Sequence, residues 1–185
     1  MKNFGTPCSL TTIEQKAIRN AAKGSGWTQK QGVFSKRVDQ WVLHAGLKKN
    51  ELGEQRFVVS GKPISVDLLL WKFLDISGNE KQPATFHYWG AFTSGAPQLA
   101  GSEIIADIKA CNFQGLLNNL SKVSRSLLGA MKFATLAAAA ISAGDKWRMQ
   151  SSLLLGFVDE GNVESATETA KSMLARPDVE FSGHQ

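Results

Sequence analysis

Apolar and polar positions change their rhythm twice along this chain of 185 residues. The first stretch has a helical period. Thr11 and Glu14 stand at capping-box spacing, where a hydroxyl and a carboxylate satisfy the orphan backbone donors of a helix start. Ile13, Ala17 and Ala21 then recur every four residues as an apolar stripe. Gly24 is the expected stop, because glycine takes the left-handed conformation without steric cost. From Trp27 to Phe92 the rhythm shortens. Runs of aromatic and β-branched residues at Trp27 to Val33-Phe34, Gln40 to His44, Arg56 to Val59, Val66 to Leu74 and Thr85 to Phe92 alternate with Gly, Pro, Asn and Ser breaks. That pattern predicts an antiparallel meander. Residues 65–76 stay open between strand and helix, because the unbroken Leu68-Leu69-Leu70-Trp71 fits either.

After Pro97 the breaks thin out and helices are expected. Residues 102–110 are of undecided type. Asn112 to Ala143 reads as helix with a kink near Gly129, Lys146 to Val158 as a second, and Val163 to Leu174 as a third that ends ahead of Pro177. Trp147, Leu154, Leu155 and Val158 are the expected core residues of the second. A run of strands followed by a run of helices argues for an α+β fold. The expectation is a single domain over 1–185: N-terminal helix at 1–25, a sheet of about five strands at 26–95, three to four helices at 100–176 packed on one sheet face, and a flexible tail at 177–185.

Composition narrows the class. Five Trp and ten Phe supply enough bulky apolar surface to oppose the entropy of ordering the chain, so disorder is not expected. Met1 to Asn20 carries charges at Lys2, Glu14, Lys16 and Arg19 and lacks the apolar run of a signal peptide, which predicts a cytoplasmic protein with Cys8 and Cys111 reduced. The longest weakly polar run, Phe133 to Gly144, is too short for a membrane span. The net charge of +5 is unevenly spread. Residues 1–92 hold 13 Lys and Arg against 7 Asp and Glu, and residues 93–185 hold 8 against 9. The basic surplus therefore belongs to the first half of the chain.

Known catalytic patterns do not match. His44, His87 and His184 lack metal-ligand spacing with either cysteine. Gly24-Ser25-Gly26 follows a helix where a phosphate loop must open one. Asp67 and Asp75 flank the apolar run without a partner at a definable distance. No cofactor or metal is expected. The most unusual local feature is Phe86-His87-Tyr88-Trp89: on a strand it would place rings on both faces, giving either a covered second face or an aromatic binding surface. Lys48, Lys49, Arg56 and Lys62 gather around the turns of the same sheet, as a solvated rim or a charged contact. The residues selected for partner binding are Trp41, His44, Arg56, Lys62, His87 and Trp89. The alternatives are a small enzyme or ligand-binding domain with a pocket around His44 or His87, and an RNA-binding or regulatory domain using the basic turns.

Gly26-Trp27-Thr28-Gln29-Lys30-Gln31-Gly32-Val33-Phe34, then Trp41, Lys62-Pro63 with Asp67 and Trp71, Gly90-Ala91-Phe92 and the late Gly161-Asn162-Val163-Glu164-Ser165-Ala166 give an order of features that resembles small bacterial α+β immunity proteins. The resemblance spans most of the chain. It implies a non-enzymatic protein that covers the active site of a toxin. Immunity proteins against nucleases are often acidic, whereas this chain is basic, which implies a toxin surface that is acidic or apolar.

Overall fold

The computed structural model describes residues 11–30, 33–49, 55–90, 92–99, 104–105, 113–115, 117–118, 121–122, 132–142 and 146–175. Helix α1 (Thr12–Ser25) starts as its sequence demands: the Thr11 hydroxyl accepts from the Glu14 amide, and the Glu14 carboxylate accepts from the Thr11 amide. Its stop lies two residues later than expected, at Gly26, where φ is 73°. Gly24 remains inside the helix. The buried face is also turned by one position, to Ile18, Ala21 and Ala22, and Ile13 stands exposed. The reason is the partner: Ile18 joins Trp27, Phe34, Phe113 and Leu117 in the main core, and that seam decides the rotation of the helix.

Strands β1 (Thr28–Lys30), β2 (Val33–Val38), β3 (Trp41–Lys49) and β4 (Gln55–Pro63) form an antiparallel meander in chain order. A two-residue strand β5 (Ile104–Ile105) continues it at Arg56 and Phe57. Residues 97–99 run beside β4 as well, through Gly61 N to Pro97 O and Leu99 N to Val59 O. The β2–β3–β4 register aligns Phe34 with Ala45 and Val59, and Ser35 with His44 and Ser60. Alternation then separates the faces. Phe34, Leu43, Ala45, Phe57 and Val59 face the main core with α1, Phe113 and Leu117. Ser35, Val42, His44, Ser60 and Lys62 lie on the other face.

One open assignment and one expected strand are both helices. Residues 64–73 form α2 (Ile64–Phe73), which settles the open assignment at 65–76. Pro63 has no amide hydrogen to continue the ladder and fits a helix entry, and the three leucines that follow are good helix formers. Residues 86–89 form the single-turn α3 (Phe86–Trp89), so Phe86 to Trp89 do not alternate across a sheet. Gly90 closes that turn by necessity: a Cβ there would stand 2.6 Å from Phe86 O. Because α2 and α3 follow β4, the helices are not confined to one sheet face.

The C-terminal part is helical as expected in kind. Helices α4 (Phe133–Ser142), α5 (Lys146–Asp159) and α6 (Val163–Leu174) follow one another, and residues 113–115, 117–118 and 121–122 are helical. Gly156 lets α4 and α5 approach, since a Cβ would meet Phe133 Cδ1 at 3.0 Å and the Ala134 backbone at 3.1 Å. The Glu160 carboxylate caps α4 by accepting from the Ala134 amide. A second apolar cluster of Val66, Phe133 and Leu155, with Trp41, Leu69 and Leu70 against it, joins α2 to this helical layer. Of the residues expected in the core of α5, Leu155 is buried, Leu154 is partly buried and Val158 is 38% exposed; the Trp147 side chain lies outside the described residues. Gly129, the 50–53 turn, both cysteines, His184 and the 177–185 tail also lie outside them. Among the described residues no helix is long and apolar enough to cross a membrane.

Candidate functional site

The end of β4, the first turn of α2, the turn α3 and Ser94 meet at a buried polar cluster centred on Asp67. The Lys62 ammonium donates to Asp67 Oδ1 at 2.7 Å and to the Ser94 carbonyl and hydroxyl at 2.5 and 3.2 Å. Its three protons thus have three acceptors. Asp67 Oδ1 also accepts from the Ser94 amide at 2.8 Å and from the Ser94 hydroxyl at 2.5 Å. His87 Nδ1 donates to Asp67 Oδ2 at 2.5 Å, since a carboxylate can only accept there. Lys62 and Asp67 are completely buried, and Ser94 and His87 retain 5% exposure each.

The electrostatics follow from this geometry. Burial pushes the Asp67 carboxyl upward, but the hydrogen bond from His87, the Lys62 charge with its hydrogen bond, and Ser94 outweigh it and hold the group below its ordinary range. Burial lowers Lys62, with Asp67 opposing the shift. The cluster is therefore a paired and hydrogen-bonded buried charge, the form in which such groups are tolerated.

His44 lies on the same sheet face. Its ring stands 4.6 Å from that of Tyr88, and its Nδ1 lies 3.1 Å from the Ser35 hydroxyl. Nε2 is buried without a hydrogen-bond partner among the described residues. Burial, with the neighbouring charges of Lys62 and His87 and only partial compensation from Asp67, lowers His44 to about 3.

The residues selected from sequence divide accordingly. His44, Lys62 and His87 come together, but inside the molecule. Lys62 is a correction to the solvated rim: it lies at the helix-covered end of β4, where Asp67 neutralises it. His87 likewise sits on a helix and not on a strand. Trp41 joins the second apolar cluster, its ring 6.2 Å from Phe133 on the core-facing side of the sheet. Arg56 is at the opposite end of β4, paired across to Ile105 and Lys48. Trp89 ends α3, and its side chain lies outside the described residues, as do those of Lys48 and Lys49. Sequence reasoning missed Ser94 and the central role of Asp67. The available signal was Lys62-Pro63 ahead of Asp67, where a strand end and a first helical turn bring the two side chains together once 64–73 is a helix.

The outer side of α2 borders a groove of about 650 Å³. Leu68, Leu69, Ile76 and Val158 give its apolar surface, and Lys72, Asp75, Glu80 and Asp159 its charged rim. Leu68 and Val158 are 37% and 38% exposed, and Phe73 and Leu74 continue the uncovered apolar surface along the chain. Trp71 links groove and cluster: it lines the groove, its ring lies 5.2 Å from that of His87, and its indole NH donates to Phe92 O at 2.8 Å. Asp67 thus anchors the helix whose other side forms the groove.

No family model matches this chain, and neither a curated protein nor a solved structure matches it.

Proposed function

We propose that this chain is a non-catalytic protein-binding domain, in its specific form an immunity protein that neutralises a toxin by covering its active site. The observation that carries the reading is the groove beside α2. It is about 650 Å³, within the range of ligand and peptide clefts, and it couples exposed leucine and valine to a charged rim. Uncovered apolar surface framed by charge is the usual composition of a contact patch. The buried cluster behind it supports the same reading. Its hydrogen bonds spend Lys62, Asp67 and Ser94 on one another, which suits an anchor for α2 better than a reacting centre.

The second reading is a small enzyme. The Asp67–His87 pair favours it, because a carboxylate that orients a histidine is a common basic device. Against it, the Ser94 hydroxyl is bonded to Asp67 and Lys62 and does not stand as a nucleophile on the histidine.

The test is quantitative capture from the source cell extract with wild type and with Leu68→Asp/Val158→Asp in parallel. The proposal expects a stoichiometric protein that wild type retains and the groove variant loses while its melting temperature holds. That protein should be toxic when expressed alone and harmless when co-expressed with this chain. Equal recovery of the same protein by both baits would remove the groove as the binding face.

A further inference from the structure

Three described helices end on a residue with positive φ: α1 at Gly26, α2 at Asp75 and α5 at Gly161, with φ of 73°, 56° and 70°. The caps of α2 and α5 are the same motif. Asp75 N donates to Lys72 O and Ile76 N to Trp71 O; Gly161 N donates to Val158 O and Asn162 N to Phe157 O. Glycine is the favoured residue at this position because a side chain crowds the left-handed backbone. One cap follows that preference and the other holds an aspartate, a residue that tolerates this backbone better than most, so a carboxylate stands where glycine would leave none. Asp75 lines the groove, with Glu80 and Asp159 on the same rim and Lys72 as the one cation among its described lining residues. The groove is thus locally acidic on a chain whose net charge is +5, so the partner surface it suits is cationic and not the acidic or apolar one that the net charge implies.

Resting on the protein-binding reading above, we infer that the α2 groove takes a cationic amphipathic helix of a protein partner, with its apolar side on Leu68, Leu69, Ile76 and Val158 and its lysines or arginines on Asp75, Glu80 and Asp159. The helical form follows from the walls. Helix α2 and the end of α5 satisfy their own backbone groups, so they offer side chains but no strand edge for pairing. Strand pairing is thus not offered, and an occupant that satisfies its own backbone, as a helix does, fits these walls. The charges set orientation and association rate, and salt weakens them.

The probe is a fluorescein-labelled amphipathic peptide of about 14 residues, roughly four helical turns, with leucines at helical spacing flanked by lysines, compared with a copy in which every lysine is glutamate. Fluorescence anisotropy on wild type should show at least tenfold tighter binding of the lysine peptide, reduced when salt is raised from about 0.05 to 0.5 M. Asp75→Gly should weaken it about threefold or more while its melting temperature stays level or rises, a combination a purely structural aspartate would not give. Asp75→Lys/Asp159→Lys should reverse the preference. Equal binding of both peptides overturns the cationic partner and leaves the groove reading standing. Binding of neither, or lysine-peptide binding that survives Leu68→Asp/Val158→Asp, overturns both.

Discussion

At the scale of single residues, Asp67 joins α2 to the end of β4, to α3 and to residue 94, because it neutralises Lys62 and fixes His87 and Ser94 at once. Removing one member of a completely buried ion pair leaves the other charge without compensation, a loss of about 3–5 kcal/mol. Asp67→Leu and Lys62→Met should therefore each lower chemical-denaturation stability by that order. The double variant should lose about 1–3 kcal/mol less than the two losses combined; strict additivity would mean that the two side chains do not support each other. His44 makes a separate prediction about pH. Its folded-state value of about 3 lies below the ordinary value of 6.5, so the unfolded chain takes up a proton first as the solution is acidified. Stability attributable to His44 is complete above about 6.5 and falls on acidification toward 3, by up to about 1.4 kcal/mol per pH unit. Asp67, also lowered, adds its own loss only below its ordinary value of 3.8. Unfolding free energies measured from pH 7 to 4.5 should slope downward for wild type and flatten for His44→Gln. A slope that His44→Gln leaves unchanged would assign the acid sensitivity to another group.

At the scale of elements, close approach and capping decide what the periodicity left open. Gly156 faces Phe133 and Ala134 at contact distance, so Gly156→Val should lower the melting temperature through a cost of about 1–3 kcal/mol, despite glycine's poor helix propensity. Asp75→Gly should work in the other direction and leave stability level or raise it by up to about 1 kcal/mol, because relief of a left-handed aspartate outweighs the freedom glycine adds to the unfolded chain. These elements also show what the sequence made legible. The α1 capping box, the turn at Gly161-Asn162 and the bounds of α6 are local: each rests on a few neighbouring residues whose chemistry has one good solution. Residues 64–73 and 86–89 are not local in that sense. Their rings and leucines suit a strand as well as a helix, and their form is set by what they cover: Asp67 and His87 reach the polar face of the sheet, and Tyr88 stacks on His44. For the same reason three of the selected site residues were found together but buried. Type and spacing marked them as unusual, while exposure depends on helices that no strand pattern announces.

At the scale of the whole molecule, the sheet separates two tasks. One face seals the main core against α1, Phe113 and Leu117, with Trp27 Nε1 donating to the Ser121 hydroxyl. The other holds the Lys62–Asp67–His87 cluster, which fixes α2 with its outer side toward the groove. Binding on this account belongs to α2, the 75–80 turn and the end of α5, rather than to the basic sheet turns where the sequence concentrates positive charge. Hydrogen exchange of the chain with and without its captured protein partner tests that division most directly. The account predicts slowed exchange concentrated in residues 64–81 and 155–162, with β1 and the outer turns of the sheet unchanged. Protection confined to the strands and turns of the basic half, with 64–81 exchanging as in the free protein, would contradict it.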